Sequence, residues 1–174
     1  EAERDYIRAE ILSYVDRMLN GGDYEAWSFR PYLGNYSAMI ASSLGLAAIA
    51  LDGEIDPSIA AAAIARADDM IILWLTHQLD EDGAYNEGAL YGSWSMRHLV
   101  YYFWARYRYD GYDYSLNTRI RKMEDWFAYE LHPDGAGKVN NIQDCAYLTS
   151  PLSENTTYFD WAMTMWGSRL SAYI

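Results

Sequence analysis

The stretch 79–109, LDEDGAYNEGALYGSWSMRHLVYYFWARYRY, limits what this chain can become more than any other part of it. It opens at the turn signal Asp82-Gly83 and crosses a loop with Tyr85, Asn86, Glu87, Gly88 and Tyr91. It ends in a helix predicted over about 93–107, aromatic or aliphatic on nearly every side. A helix without a polar face has to be buried in a larger helical core. A loop that delivers a carboxylate and two phenols to the entrance of such a helix is a place for chemistry.

The segments around it read as further helices. Positions 4–19 carry Ile7, Ile11, Val15 and Met18 at helical spacing, and Asn20-Gly21-Gly22 stops that helix. An aromatic loop with Trp27, Phe29, Arg30, Pro31 and Tyr32 leads to a helix over 36–51 that has almost no polar residue. Asp52-Gly53 ends it, and Asp56-Pro57 supplies the N-cap and first-turn proline of a third helix reaching 78. There Ile64, Ile71, Trp74 and Leu75 form an apolar stripe opposite Arg66, Asp69 and Thr76. After Asp110-Gly111, a fifth helix over 116–131 sets Ile120, Met123 and Phe127 against Arg119, Arg121, Lys122 and Asp125. A long loop over 132–153 precedes a last helix over 156–174, rich in aromatics and Met. No segment alternates as a half-buried strand would.

Buried and amphipathic helices thus alternate along the chain. Asp82-Gly83 and Asp134-Gly135 each follow a helix ending in Leu-x-x-Asp, about one helical hairpin apart. The expected fold is all-α: one domain over 1–174 forming part of an α/α toroid, with inner buried helices and outer amphipathic ones. A closed toroid of six such hairpins takes about 300 residues at this period, so the 174-residue chain is expected to be a fragment of a longer one. Its last helix ends on Leu170, Ala172, Tyr173 and Ile174 with no C-cap signal. A missing C-terminal domain, or another chain, is expected against that end.

Composition narrows the function. A net charge of −12 and a pI near 4.5 disfavour nucleic acid, which is held by clustered Lys and Arg. No hydrophobic run is long enough to span a bilayer, and no signal peptide is visible. The lone Cys145 forms no internal disulfide, and His77, His98 and His132 lack metal-ligand spacing. There is neither a Gly-rich phosphate loop nor a G-x-S-x-G elbow, and no cofactor is expected. Seventeen tyrosines and seven tryptophans fit either an aromatic core or a cleft of flat rings suited to the apolar faces of sugars.

The candidate site residues cluster around the central loop. Glu87, flanked by Gly88, is either a reactive carboxylate or a cap on the fourth helix, whose dipole favours negative charge at its start. Tyr91 lies at the same entrance, where that dipole stabilises a phenolate. Arg97 and His98 stand on a helix of little other polarity, and an arginine buried there has to be paired. Trp27 and Trp94 supply rings for a sugar to stack on.

Asp82-Gly83-x-Tyr85-x-Glu87-Gly88-x-x-Tyr91, opening an aromatic helix, resembles the toroid domain of the heparinase II/III-like polysaccharide lyases and related alginate lyases. Pro133-Asp134-Gly135 followed by Asn140-Asn141-x-x-Asp144 is similar to that family's next loop, and Gly34-Asn35-Tyr36 to its Asn-His or Asn-Trp position. The resemblance covers about 30–150 and implies a polysaccharide or oligosaccharide substrate cleaved by β-elimination at a uronic acid. It implies that Asn35 neutralises the substrate carboxylate and that Tyr91 supplies the acid or base, with Tyr85 as the second choice. A periplasmic or secreted location is expected. Tyr36 stands where some members carry a catalytic His, and those lyases also have a β-sandwich domain, for which these 174 residues show no strand pattern. Two other activities fit the same residues. One is an inverting glycosidase with Glu87 as acid and Asp82 or Asp144 as the second carboxylate; the other is a carbohydrate-binding or scaffold domain without turnover.

Overall fold

A computed structural model describes residues 1–20, 34–131 and 157–169. Among these the chain is all-helical, with an antiparallel bridge between Leu79 and Tyr85. The helices are α1 (Ala2–Asn20), α2 (Gly34–Ala50), α3 (Pro57–Gln78), α4 (Gly88–Asp110), α5 (Thr118–Glu130) and α6 (Thr157–Trp166). A short 3-10 helix, Tyr114–Leu116, joins α4 to α5. No helix among the described residues is long and apolar enough to cross a membrane.

The punctuation residues act as their chemistry predicts. The Asp56 carboxylate accepts the Ser58 N–H at 2.8 Å, capping α3 above Pro57. Gly111, left-handed at φ +81, closes α4. Asn117 caps α5 by accepting the N–H of Arg119 at 3.0 Å. That cap places the start of α5 two residues beyond the expected 116. The largest shift of a helix start is at α4, which begins at Gly88 rather than 93, so Tyr91 lies inside its first turn. The last helix, expected to reach 174, ends at Trp166, where Gly167 turns left-handed at φ +67.

Helix α2 is the middle of the fold and packs on both α3 and α4. It can do so because nearly all its side chains are small or apolar; Ala38, Ala41, Leu44 and Ala48 are fully buried. At Gly45 the absence of a side chain is required: a Cβ there would lie 2.1 Å from the Tyr102 ring of α4. The aromatics fill the core. Phe103 of α4 stacks on Tyr114 at 4.2 Å and meets Trp161 of α6 at 5.2 Å. The Tyr158 hydroxyl of α6 donates to the Ile120 carbonyl of α5 at 2.6 Å, so a large ring is buried with its polar tip satisfied. Each such side chain contributes about 1.5–3 kcal/mol of apolar burial.

Burial corrects part of the expected alternation. Helix α5 is an outer helix with only Ile120, Met123 and Phe127 buried. Helix α3, expected to be outer, buries nine of its 22 residues, much as α4 buries 11 of its 23. Helix α4 was expected to lack an exposed face, yet Arg97, Tyr101, Tyr107 and Arg108 are exposed. An arginine and tyrosine side chain need not be buried simply because its neighbours are, and here α2 covers only one side of the helix. Helix α6 likewise exposes Asp160, Met163 and Thr164. Residues 170–174, on which the expected apolar end depends, lie outside the described residues.

Candidate functional site: a polar knot at two helix starts

Glu87 occupies the N-cap position of α4 but makes no side-chain cap there. Its carboxylate reaches instead to α2. There Oε2 accepts the backbone N–H of Asn35 at 2.7 Å and the Tyr85 hydroxyl at 2.5 Å. The first N–H groups of a helix have no partner within it, and the positive end of the dipole favours an anion there. Glu87 is therefore a cap, as one reading of the sequence allowed, but of a helix 52 positions earlier in the chain.

Two more residues complete the knot. Trp74 of α3 donates its indole N–H to the Gly34 carbonyl at 3.1 Å, and its ring lies 5.3 Å from that of Tyr85. Gly34 holds φ +62, and a Cβ on it would lie 2.6 Å from Glu87 Oε1. Burial and then the Glu87 hydrogen bond push the Tyr85 phenol far above its usual pKa. Tyr85 thus stays protonated at neutral pH and serves as a donor, not as a base.

The structure brings together Asn35, Tyr85 and Glu87 of the expected site. Asn35 is only 7% exposed. Tyr91, in the first turn of α4, is partly buried against the core. An open groove beside the knot is lined by Thr76, His77, Asp80, Asn86 and Arg119 together with Tyr85. Trp27, Arg30 and Asp144 lie outside the described residues.

Next to these helix starts stands a row of rings, Tyr36 exposed and Trp94 and His98 half-buried. Tyr36 of α2 meets Trp94 of α4 edge-on at 6.1 Å, and Trp94 meets His98 at 4.5 Å. Burial, and secondarily the positive charge of Arg97, lower the His98 pKa, so its imidazole is neutral at pH 7. Arg97 itself is exposed and is not the buried arginine its helix was expected to hold.

The buried arginine is Arg106, which the sequence did not single out. Its guanidinium donates to Asp68 Oδ2 at 2.9 Å and also pairs with Asp110. The other Asp68 oxygen accepts the hydroxyls of Tyr102 at 2.7 Å and Tyr114 at 2.6 Å. Asp68 thereby joins α3, α4 and the 3-10 helix, a structural role. The spacing Tyr102, Arg106, Asp110 was a readable signal, since residues four apart share a helix face. Asp82, the other carboxylate considered as a glycosidase partner, pairs with Lys122 at 3.1 Å with its side chain 89% exposed. No protein-family model, curated protein or solved structure matches this chain.

Proposed function

We propose that this chain is a glycan-handling helical domain, built from hairpins of the α/α toroid type and related in activity to polysaccharide lyases. The observation that carries the proposal is the ring row Tyr36, Trp94 and His98 beside the knot of Asn35, Tyr85 and Glu87. Flat rings with polar edges suit sugars, whose C–H faces stack and whose hydroxyls hydrogen-bond. The loop motif that resembles the lyases, from Asp82 to Tyr91, builds one side of this arrangement.

In this reading the reaction is β-elimination at a uronic acid. A base removes the proton α to the carboxylate, oriented donors stabilise the enolate, and an acid protonates the leaving oxygen. Tyr91 is the proton-transfer residue and Asn35 the neutral donor. Neutral His98 adds a second group able to accept a proton at pH 7.

The test is incubation of the protein with uronate-containing polysaccharides while following the absorbance of an unsaturated uronide. Tyr91→Phe is expected to lower turnover about 10²–10⁴-fold, the size of a lost acid–base group, with little effect on binding. Tyr85→Phe is expected to be milder. New reducing ends without that absorbance would indicate a glycosidase instead. One observation favours a second reading, a binding domain without turnover: Glu87, Tyr85 and the Asn35 backbone already satisfy one another. Binding with no product of either kind would select it.

A further inference from the structure

Helix α2 is the middle of the fold, yet one of its sides is open. None of its 17 residues is charged. Met39, Ile40, Ser43, Leu46 and Ala47 are half-buried and Ala50 is exposed, at the spacing of one helix face. Helix α1 forms the facing wall. It runs opposite to α2, since Arg4 and Arg8 near its start pair with Glu54 just beyond the end of α2. Ile11 and Tyr14 of α1 are half-buried, and Ile7, one turn earlier, is 49% exposed. Between the two helices lies an open groove of about 480 Å³, lined by Ile11, Tyr14, Leu46, Ala47 and Ala50, with Glu10 at its edge. At 1.5 Å per residue the stripe from Met39 to Ala50 is about 17 Å long, or about three helical turns.

We propose that this groove docks an amphipathic helix of another protein, one whose apolar stripe is flanked by Lys or Arg. Shape selects a helix: an apolar trough between two helices receives side chains at i, i+3, i+4 and i+7 of a third. Charge complementarity selects the flanks. Glu10 pairs with no cation among the described residues. The arginines nearby are engaged: Arg4 and Arg8 are held by Glu54, Arg8 also by Asp5, and Arg17 donates to the Ser13 carbonyl. Residues 1–20 hold five acidic residues against these three arginines, and Asp52 and Glu54 follow α2. The rim is therefore net negative around an uncharged floor, in a chain of net charge −12 that draws basic partners. The same charge disfavours a second copy, which in a symmetric pair would bring another Glu10 to the same groove. Burial raises the pKa of the Tyr14 phenol, which adds a neutral hydroxyl beside the apolar walls.

The experiment is fluorescence anisotropy of the full chain with a labelled synthetic helix that carries Leu at i, i+3, i+4 and i+7 and Lys beside that stripe. One comparator peptide has Glu in place of Lys. A second keeps the composition but scrambles the order, so that charge remains and the stripe is lost. The Lys-flanked helix is expected to bind more tightly than either. Ala50→Arg, which adds bulk and a like charge at an exposed position of the groove, is expected to weaken it about tenfold with an unchanged circular dichroism spectrum. Glu10→Gln is expected to weaken it about threefold, the size of one exposed ion pair. Amide NMR shifts caused by the peptide are expected at positions 7–14 and 39–50. Equal binding by Ala50→Arg, equal or tighter binding of a comparator peptide, shifts centred on other helices, or sedimentation showing a dimer that excludes the peptide would each overturn the proposal. None of these readouts involves a glycan, so the outcome is independent of the activity proposed above.

Discussion

The Glu87 carboxylate receives the backbone N–H of Asn35 at 2.7 Å, tying the start of α2 to the residue that precedes α4. The same oxygen accepts the Tyr85 hydroxyl, so one carboxylate satisfies two donors that the core would otherwise strand. Glu87→Ala is expected to cost about 3 kcal/mol, because both donors lose their partner. Glu87→Gln is expected to cost less, since an amide oxygen still accepts but carries no charge for the helix dipole. Urea denaturation midpoints measure both. A Glu87→Ala protein as stable as the parent would show that the carboxylate holds nothing.

Two glycines with positive φ separate backbone strain from the knot. Gly34 and Gly53 hold φ +62 and +78, and only Gly34 has an atom within 4 Å of a built Cβ, the Glu87 carboxylate. Gly53→Ala is expected to cost about 1–2 kcal/mol, the price of a left-handed residue. Gly34→Ala is expected to cost more and to disturb the Glu87 contacts as well. Equal melting temperatures for the two variants would contradict this.

Asp68 is expected to matter far more to stability than the exposed Arg97 does. Asp68→Asn leaves the guanidinium of Arg106, a residue 7% exposed, with only Asp110 to offset its charge. Weakening a buried pair from one side is expected to cost about 3 kcal/mol. Arg97→Gln, on the exposed face of the same helix, is expected to stay within about 0.5 kcal/mol of the parent. Thermal unfolding of the two variants side by side checks the contrast, and a reversed order would refute it.

His98 gives a dependence on pH of defined sign. Burial lowers its pKa in the folded chain, so the unfolded chain binds its proton more readily. The stability it contributes is fully present above its ordinary value of 6.5 and is lost as pH falls through the lower folded value. Melting temperatures between about pH 8 and about pH 5 are expected to fall more steeply for the parent than for His98→Gln. Parallel curves would mean that His98 titrates alike in both states.

Local chemistry in the sequence was enough for the all-helical character, the cap at Asp56-Pro57, the stop at Gly111 and the amphipathic stripe of α5. Each depends on residues within a few positions of one another, and helical periodicity reports them directly. The sequence also marked Asn35, Tyr85 and Glu87 as worth attention. What only the tertiary structure decided was which groups meet. Glu87 stood beside the start of α4, and nothing local could show that its carboxylate would turn to α2. Arg97 and Arg106 share one helix, and the strand of apolar neighbours around them in sequence does not say which side α2 and α3 cover. Packing exposed the first and set the second against Asp68, 38 positions away, because a desolvated guanidinium is tolerated only where a carboxylate meets it.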